Sequence, residues 1–285
     1  MKKKKKSVQK IRLAVQMAFF ALVFYITAGK WLAEKGIVLP FAPGASLHSI
    51  CPFGGVVTIY EFVTTGEFIQ KIHSSSFILM LIVLVTAILF GPVFCGYICP
   101  FGSFQEWLGK LGKKLFPMRY NRIVPIGIDR VLKFLRYLVL ILVLYKTAAA
   151  AKLLFQSLDP YYALFNFFTD EVALSAYLIL GLITVLSLIT ERPWCKYLCP
   201  YGALLGLFNF VRIFSIRRRK ETCISCMKCD KVCPMNIKVS EKEDIRDPLC
   251  ISCHKCTSES ACPVNDTVVI SAGKLRKKEE ARDEN

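Results

Sequence analysis

The sequence predicts an all-α membrane protein of four transmembrane helices, built as two parallel helix-pair repeats and followed by a small cysteine-rich α+β domain. Three observations predict it: four apolar runs bounded by charge, a Cys-x3-Cys-Pro element that occurs twice, and two clustered cysteine runs near the C-terminus. The chain has 285 residues, 54% of them hydrophobic, and a mean hydropathy of +0.45. That is too apolar for an ordinary soluble enzyme of this length. The net charge of +17 lies on Lys and Arg that flank the apolar runs. This is the membrane pattern, so the partner that the charge implies is a lipid bilayer and not a nucleic acid.

The apolar runs are Ile11–Thr27, Phe77–Phe94, Leu135–Ala151 and Val172–Thr190, each of 17 to 19 residues. A bilayer core of about 30 Å needs roughly 20 apolar residues per helix, so these stand at the short end of the spanning range. One such run fits the core helix of a soluble protein; four bounded by charge do not. Met1 to Lys6 and the first run also resemble a signal peptide, but the apolar stretch is long and no small-x-small site precedes Lys30.

Basic residues fix the orientation. Lys2–Lys6, Lys10 and Arg12 precede the first run, Lys110 to Arg130 lie between the second and third, and Arg212 to Lys220 follow the fourth. The other two connections are poorer in Lys and Arg and carry Asp159, Asp170 and Glu171. The positive-inside rule then predicts a multi-pass protein of the cytoplasmic membrane, with both termini in the cytoplasm and Cys51 outside.

The two membrane halves resemble one another. Cys95-Gly-Tyr-Ile-Cys99-Pro100-Phe-Gly102 matches Cys195-Lys-Tyr-Leu-Cys199-Pro200-Tyr-Gly202, and Ser49-Ile-Cys51-Pro52-Phe53 matches Ser157-Leu-Asp159-Pro160-Tyr161. Both copies run the same way through the membrane, as in a parallel repeat. The expected division is 1–110 for the first repeat, 111–215 for the second, 216–270 for the cysteine-rich domain and 271–285 for a charged tail.

The sequence contains thirteen cysteines. Twelve fall into sets with metal-ligand spacing, and Cys51 stands apart. Cysteines at i and i+4 on a helix share a face. Two such pairs would therefore bring Cys95, Cys99, Cys195 and Cys199 together near the repeat axis, where four thiolates can hold a third iron–sulfur cluster. Two other readings stand: the Cys-Pro step only ends a helix, or the thiols form a dithiol–disulfide relay.

Cys223-x2-Cys226-x2-Cys229-x3-Cys233-Pro234 is the run of bacterial two-cluster ferredoxins, in which the fourth cysteine reaches the other cluster. The second run, Cys250, Cys253, Cys256 and Cys262-Pro263, has a last gap of five residues in place of three. Crossed ligation predicts one [4Fe–4S] cluster on Cys223, Cys226, Cys229 and Cys262, and another on Cys250, Cys253, Cys256 and Cys233. Zinc is the competing reading of CxxC pairs, and two complete runs with Cys-Pro exits argue against it. The tail domain is thus a small α+β, bacterial two-cluster ferredoxin-like unit.

These residues together resemble the NapH/NosR-type membrane polyferredoxins, from about Ser49 to Val264, and include the Cys51-Pro-Phe-Gly-Gly55 element. The resemblance implies quinol oxidation, or electron passage between a membrane donor and an extracytoplasmic reductase system. It implies a redox partner, which in the family is a flavoprotein, a multihaem cytochrome or a ferredoxin, and a possible quinone. A second branch implies maturation of a respiratory complex by reduction of a metal or disulfide. Redox sensing is a third reading, and the short tail after Val264 lacks a recognition domain for it. The chain has three histidines, His48, His73 and His254, none inside a predicted span, which argues against a haem-binding bundle. His254 and His48 are expected on the surface. If Cys51 and Asp159 face each other across the repeat axis, they form an outer site for a proton-coupled acceptor or a metal ion. Otherwise Cys51 is inert and Asp159 a turn residue. Most of a ~30 Å bilayer would separate that site from the inner cysteines, unless a quinone bridges the gap or a re-entrant segment such as Tyr161–Phe168 brings the site inward.

Overall fold

The computed structural model describes residues 2–35, 74–117, 120–121, 123–150, 158–167 and 172–273. Helix α1 (Lys2–Glu34) holds the apolar stretch Val8–Gly29, the only helix among the described residues that meets both the length and the hydropathy needed to cross a membrane. Its 22 residues rise about 33 Å, enough for the hydrocarbon core. Three further helices carry apolar faces: α2 (Ser74–Phe90), α4 (Ile126–Ala150) and α6 (Leu174–Ser187). The apolar parts of α2 and α6 are 10–17 residues long, shorter than the expected spans.

These helices are apolar on their outer side. On α6, Leu174, Leu178, Leu182 and Val185 are exposed, while Ala176, Leu180, Ile183 and Ser187 on the opposite face are buried. On α4, Val131, Phe134, Leu138, Ile141 and Tyr145 are exposed in the same way. A helix stripe of i, i+4, i+8 apolar residues turned to the outside inverts the pattern of a soluble protein.

Both Cys-x3-Cys-Pro elements break the chain between helices. A five-residue π turn (Phe94–Ile98) carries Cys95, and Cys99 then caps α3 (Pro100–Leu115). In the second copy a five-residue helix α7 (Pro193–Tyr197) carries Cys195, and Cys199 caps α8 (Pro200–Leu207). A residue before proline is driven out of the helical region, and Cys99 and Cys199 have ψ of 112° and 111°. Proline then starts the next helix, where its missing N–H costs nothing. The two copies share a hydrogen bond: Cys99 N–H donates to the Phe94 carbonyl, and Cys199 N–H to the Trp194 carbonyl, each at 2.9 Å. The expectation of i and i+4 thiols on one continuous helix is corrected here, because the Cys-Pro step leaves Cys95 on a π turn and Cys195 on a five-residue helix, with Cys99 and Cys199 at the cap of the next helix.

The connection before α6 turns inward. The short helix α5 (Pro160–Phe165) sets Phe165 against Phe20 of α1, with ring centroids 5.8 Å apart, and against Val23. Phe20 and Val23 lie midway along the apolar stretch of α1.

After α8 the chain forms strand β1 (Phe214–Arg218), which pairs antiparallel with β2 (Val268–Ala272) in the register Ile216↔Ile270. Between them come a single helical turn α9 (Lys228–Lys231) and the two cysteine loops. Ile216, Met235, Ile237, Val239, Ile245 and Val268 close the core of this small domain.

Candidate iron–sulfur centres

The cysteine loops have the same backbone. Ser225 and Met227 in the first, and Ser252 and His254 in the second, adopt left-handed conformations with φ between 48° and 54°. Such residues alternating with ordinary ones turn successive N–H groups toward one side, a concavity suited to an anionic group. Each loop closes on a cavity. Cys223, Cys226, Cys229 and Cys262 line one of about 330 Å³, counting its open mouth, with Arg218 beside them. Cys233, Cys250, Cys253 and Cys256 line another of about 360 Å³. The chain thus brings together the two crossed sets that the Cys-Pro exits predict.

Cys95, Cys99, Cys195 and Cys199 form a third set, close enough for their charges to interact. Cys95 and Cys195 pack against the core of the ferredoxin-like domain, whereas Cys99 and Cys199 pack among Phe101, Ala163 and Trp194 of the helical part. The set therefore straddles the junction. Gln105 Nε2 lies 3.7 Å from Cys195 Sγ, and Gly202 N–H lies 3.3 Å from Cys199 Sγ.

The twelve described cysteines are free thiols. Among the described residues, no three His, Cys, Asp or Glu side chains converge on a position for one metal ion. An iron–sulfur cube takes one thiolate at each iron, so its ligands surround a cavity and do not meet at a point. Burial pushes the thiols of Cys195 and Cys233 up to about 12. A thiol ligates as thiolate, so the binding of iron must drive the protons off.

The second loop is seated directly on the helical part. Gly91 has φ of 79°, and a Cβ there would meet Ser252 Oγ at 2.7 Å. A Cβ on Gly96, between Cys95 and Cys99, would stand 2.5 Å from the Ile251 carbonyl. Ser252 Oγ donates to the Phe90 carbonyl at 2.8 Å, and Gln9 Nε2 to the His254 carbonyl at 3.0 Å. His254, expected on the surface, is half-buried with its Nδ1 2.8 Å from Tyr97 Oη, because its loop packs on the π turn.

A buried charge network, unforeseen in the sequence, spans this junction. Glu106 on α3 pairs with Arg12, with Arg192 at 2.5 Å and with Lys255 at 3.3 Å. Arg192, itself left-handed with φ 53°, also donates to the Cys95 carbonyl at 2.6 Å, and Arg12 Nε to the Gly96 carbonyl at 2.9 Å. Burial alone would raise the Glu106 carboxyl, but Arg192, Lys255 and Arg12 hold it well below the usual carboxylate range.

Asp159 caps α5, accepting from Tyr161 N–H at 3.0 Å, and its charge acts on Cys99. Tyr161 and Ala163 of α5 pack in one cluster with Cys99 and Cys199, so this helix lies beside the third thiol set. Cys51, His48 and His73 lie outside the described residues, and so does any pairing of Cys51 with Asp159.

A helical body joined to cysteine loops with these backbone cradles defines a 4Fe–4S ferredoxin-type protein. A family model for the 4Fe-4S binding domain matches the chain twice, at residues 72–119 and 172–220. The chain is 29% identical to the putative electron transport protein YccM of Escherichia coli, over 92% of this chain and 75% of that one. It is 35% identical to an uncharacterised protein of Methanocaldococcus jannaschii over 73% of this chain and 82% of the relative. To the ferredoxin-type protein NapH of Haemophilus influenzae it is 32% identical over 62% of each. No solved structure matches it. The chain belongs to the NapH/NosR-type family of ferredoxin-like membrane proteins.

Proposed function

We propose that this chain is an electron-transfer subunit of the cytoplasmic membrane. In this reading it carries electrons between two cytoplasmic [4Fe–4S] clusters, a third iron–sulfur cluster at the helix junction, and a quinone or extracytoplasmic redox partner. Iron–sulfur electron transfer itself accords with the 4Fe-4S match and with the relatives' names. The single observation that carries the fuller reading is the order of the three thiol sets. The set of Cys223, Cys226, Cys229 and Cys262 lines a cavity within the ferredoxin-like domain, the loop of Cys250, Cys253 and Cys256 is seated on the helical part, and Cys95 and Cys195 pack against the same core.

When bound, the clusters supply one-electron redox centres. The protein's part is to hold them. The left-handed residues of each loop aim N–H groups at the cysteine sulfurs' side, and Gly91 and Gly96 clear the space for the second loop to lie against the Cys95 turn. Helices α1, α2, α4 and α6, with their outward apolar faces, act as four membrane spans in this reading, and both termini lie in the cytoplasm. Re-entrant α5 brings Asp159 to the membrane side of the third set, where a proton-coupled acceptor such as a quinone would take its electron.

The experiment is an iron count on purified full-length protein, with Cys95 and Cys195 each changed to Ser. The reading expects roughly twelve irons per chain, four per cluster, falling to about eight in the variants. About eight irons in both would sink the third cluster.

A further inference from the structure

Charges are unevenly distributed inside this protein. Among the described residues the buried cationic side chains are Arg12, Arg136, Arg192, Lys196, Arg212 and Arg218, against the buried carboxylates Glu106 and Asp129. Arg12 and Arg192 share Glu106, and Lys196 pairs with Asp129. Among the described residues no carboxylate lies within ion-pair distance of Arg136, Arg212 or Arg218, and Arg218 has only the exposed Glu243 within electrostatic reach. A buried charge without a counter-charge is strongly unfavourable, so each of these arginines calls for an anion beside it.

Arg212 is the clearest case. It is 1% exposed. Its Nη1 lies 3.8 Å from Cys250 Sγ and donates to Ser252 Oγ at 3.1 Å, its Nη2 donates to the Ile245 carbonyl, and its Nε is buried without a partner. Ser252 and Cys250 belong to the second cysteine loop, and Ile245 precedes it. The guanidinium thus links β1's approach to that loop while facing a thiol and no acid. The other unpaired arginines keep the same company: Arg218 lines the first cavity, and Arg136 acts on Cys95 of the third set.

We propose that Arg212 is the built-in counter-ion of the cluster held by Cys233, Cys250, Cys253 and Cys256, and that it sets that cluster's reduction potential. The inference rests on the cluster assignment of the preceding subsection. A cube ligated by four thiolates is an anion, and its negative charge grows by one when a single electron enters the iron core; no bond breaks and no proton moves. A fixed cation and an N–H donor at a ligand sulfur favour the more negative, reduced form, and both charge and hydrogen bonds to sulfur are known levers on such potentials. Arg212 makes this cluster easier to reduce than it would be without the guanidinium.

The test is an EPR-monitored redox titration of the full chain, with iron counted, for the native protein, Arg212→Gln and Arg212→Lys. Arg212→Gln should keep its iron and lower one cluster's midpoint by about 59 mV or more, a tenfold change in a one-electron equilibrium. Arg212→Lys, which keeps the charge, should shift it less. Unchanged midpoints in an iron-replete Arg212→Gln protein would overturn the proposal. If Arg212→Gln cannot hold iron, Arg212→Lys decides. Full iron and a near-native midpoint uphold the charge role, and iron loss equal to that of Gln overturns it in favour of shape. Failure of the cluster assignment itself would be visible separately, as native protein without the signals of two ferredoxin-type clusters.

Discussion

Arg192 and Glu106 meet at 2.5 Å at the point where the two Cys-x3-Cys-Pro elements and the ferredoxin-like domain come together. Arg192 leads into the second element, Glu106 follows the first, and Lys255 reaches the same carboxylate from the second cysteine loop. One carboxylate therefore ties three parts of the chain. Its position adds a buried charge network to the apolar packing of Cys95 and Cys195 at the junction.

Replacing Glu106 by Gln leaves Arg12 and Arg192 buried without their counter-charge. Breaking a buried ion pair from one side costs about 3–5 kcal/mol. A thermal melt of the purified protein in detergent should show that loss, and a variant as stable as the native protein would refute the role given to Glu106.

The same carboxylate predicts a pH dependence. Its folded-state value lies below the ordinary 4.5 of a free Glu. The stability it contributes is thus complete above about pH 4.5, where the unfolded chain is also ionised, and is lost as pH falls below that toward the folded value. Melting temperatures at pH 7, 5 and 3.5 should fall more steeply for the native protein than for Glu106→Gln. Parallel curves would contradict the linkage.

Gly96→Ala puts a methyl group 2.5 Å from the Ile251 carbonyl. Overpacking of this kind costs about 1–3 kcal/mol, and here it separates the second loop from the Cys95 turn. The protein should retain the iron of the ferredoxin-like domain but lose stability, measured by melting and iron content together. Gly127→Ala is the control, since nothing lies within 4 Å of a Cβ there.

Much of the ferredoxin-like site was legible in the sequence because its ligand spacing is local. Three cysteines two apart define a loop, and the Cys-Pro exits at Cys233 and Cys262 pointed to the crossed sets that line the two cavities. The meeting of Cys95, Cys99, Cys195 and Cys199 was legible from the repeat alone, but its geometry was not. Pro100 and Pro200 force the preceding cysteine out of the helix, so Cys99 and Cys199 sit at caps while Cys95 and Cys195 lie on the short segments before them. The buried network escaped notice for a physical reason. Arg12 and Arg212 read as ordinary basic residues at membrane borders, and only tertiary packing reveals that they are enclosed. His254 likewise reads as a surface residue, because its loop gives no sign of the π turn that covers it. Asp159 reads in the sequence as an outer residue with a re-entrant path through Tyr161–Phe168 as the alternative, and the packing of Phe165 on Phe20 sets its helix against α1.

The central claim is that the three thiol sets form a relay with the set of Cys233, Cys250, Cys253 and Cys256 in the middle. EPR of the fully reduced protein tests it most directly, since neighbouring paramagnetic clusters broaden one another's signals. Removing the third set with Cys95→Ser and Cys195→Ser together should narrow the signal of the middle cluster while the outermost keeps its shape. A spectrum of the double variant that superimposes on the native one would contradict the relay.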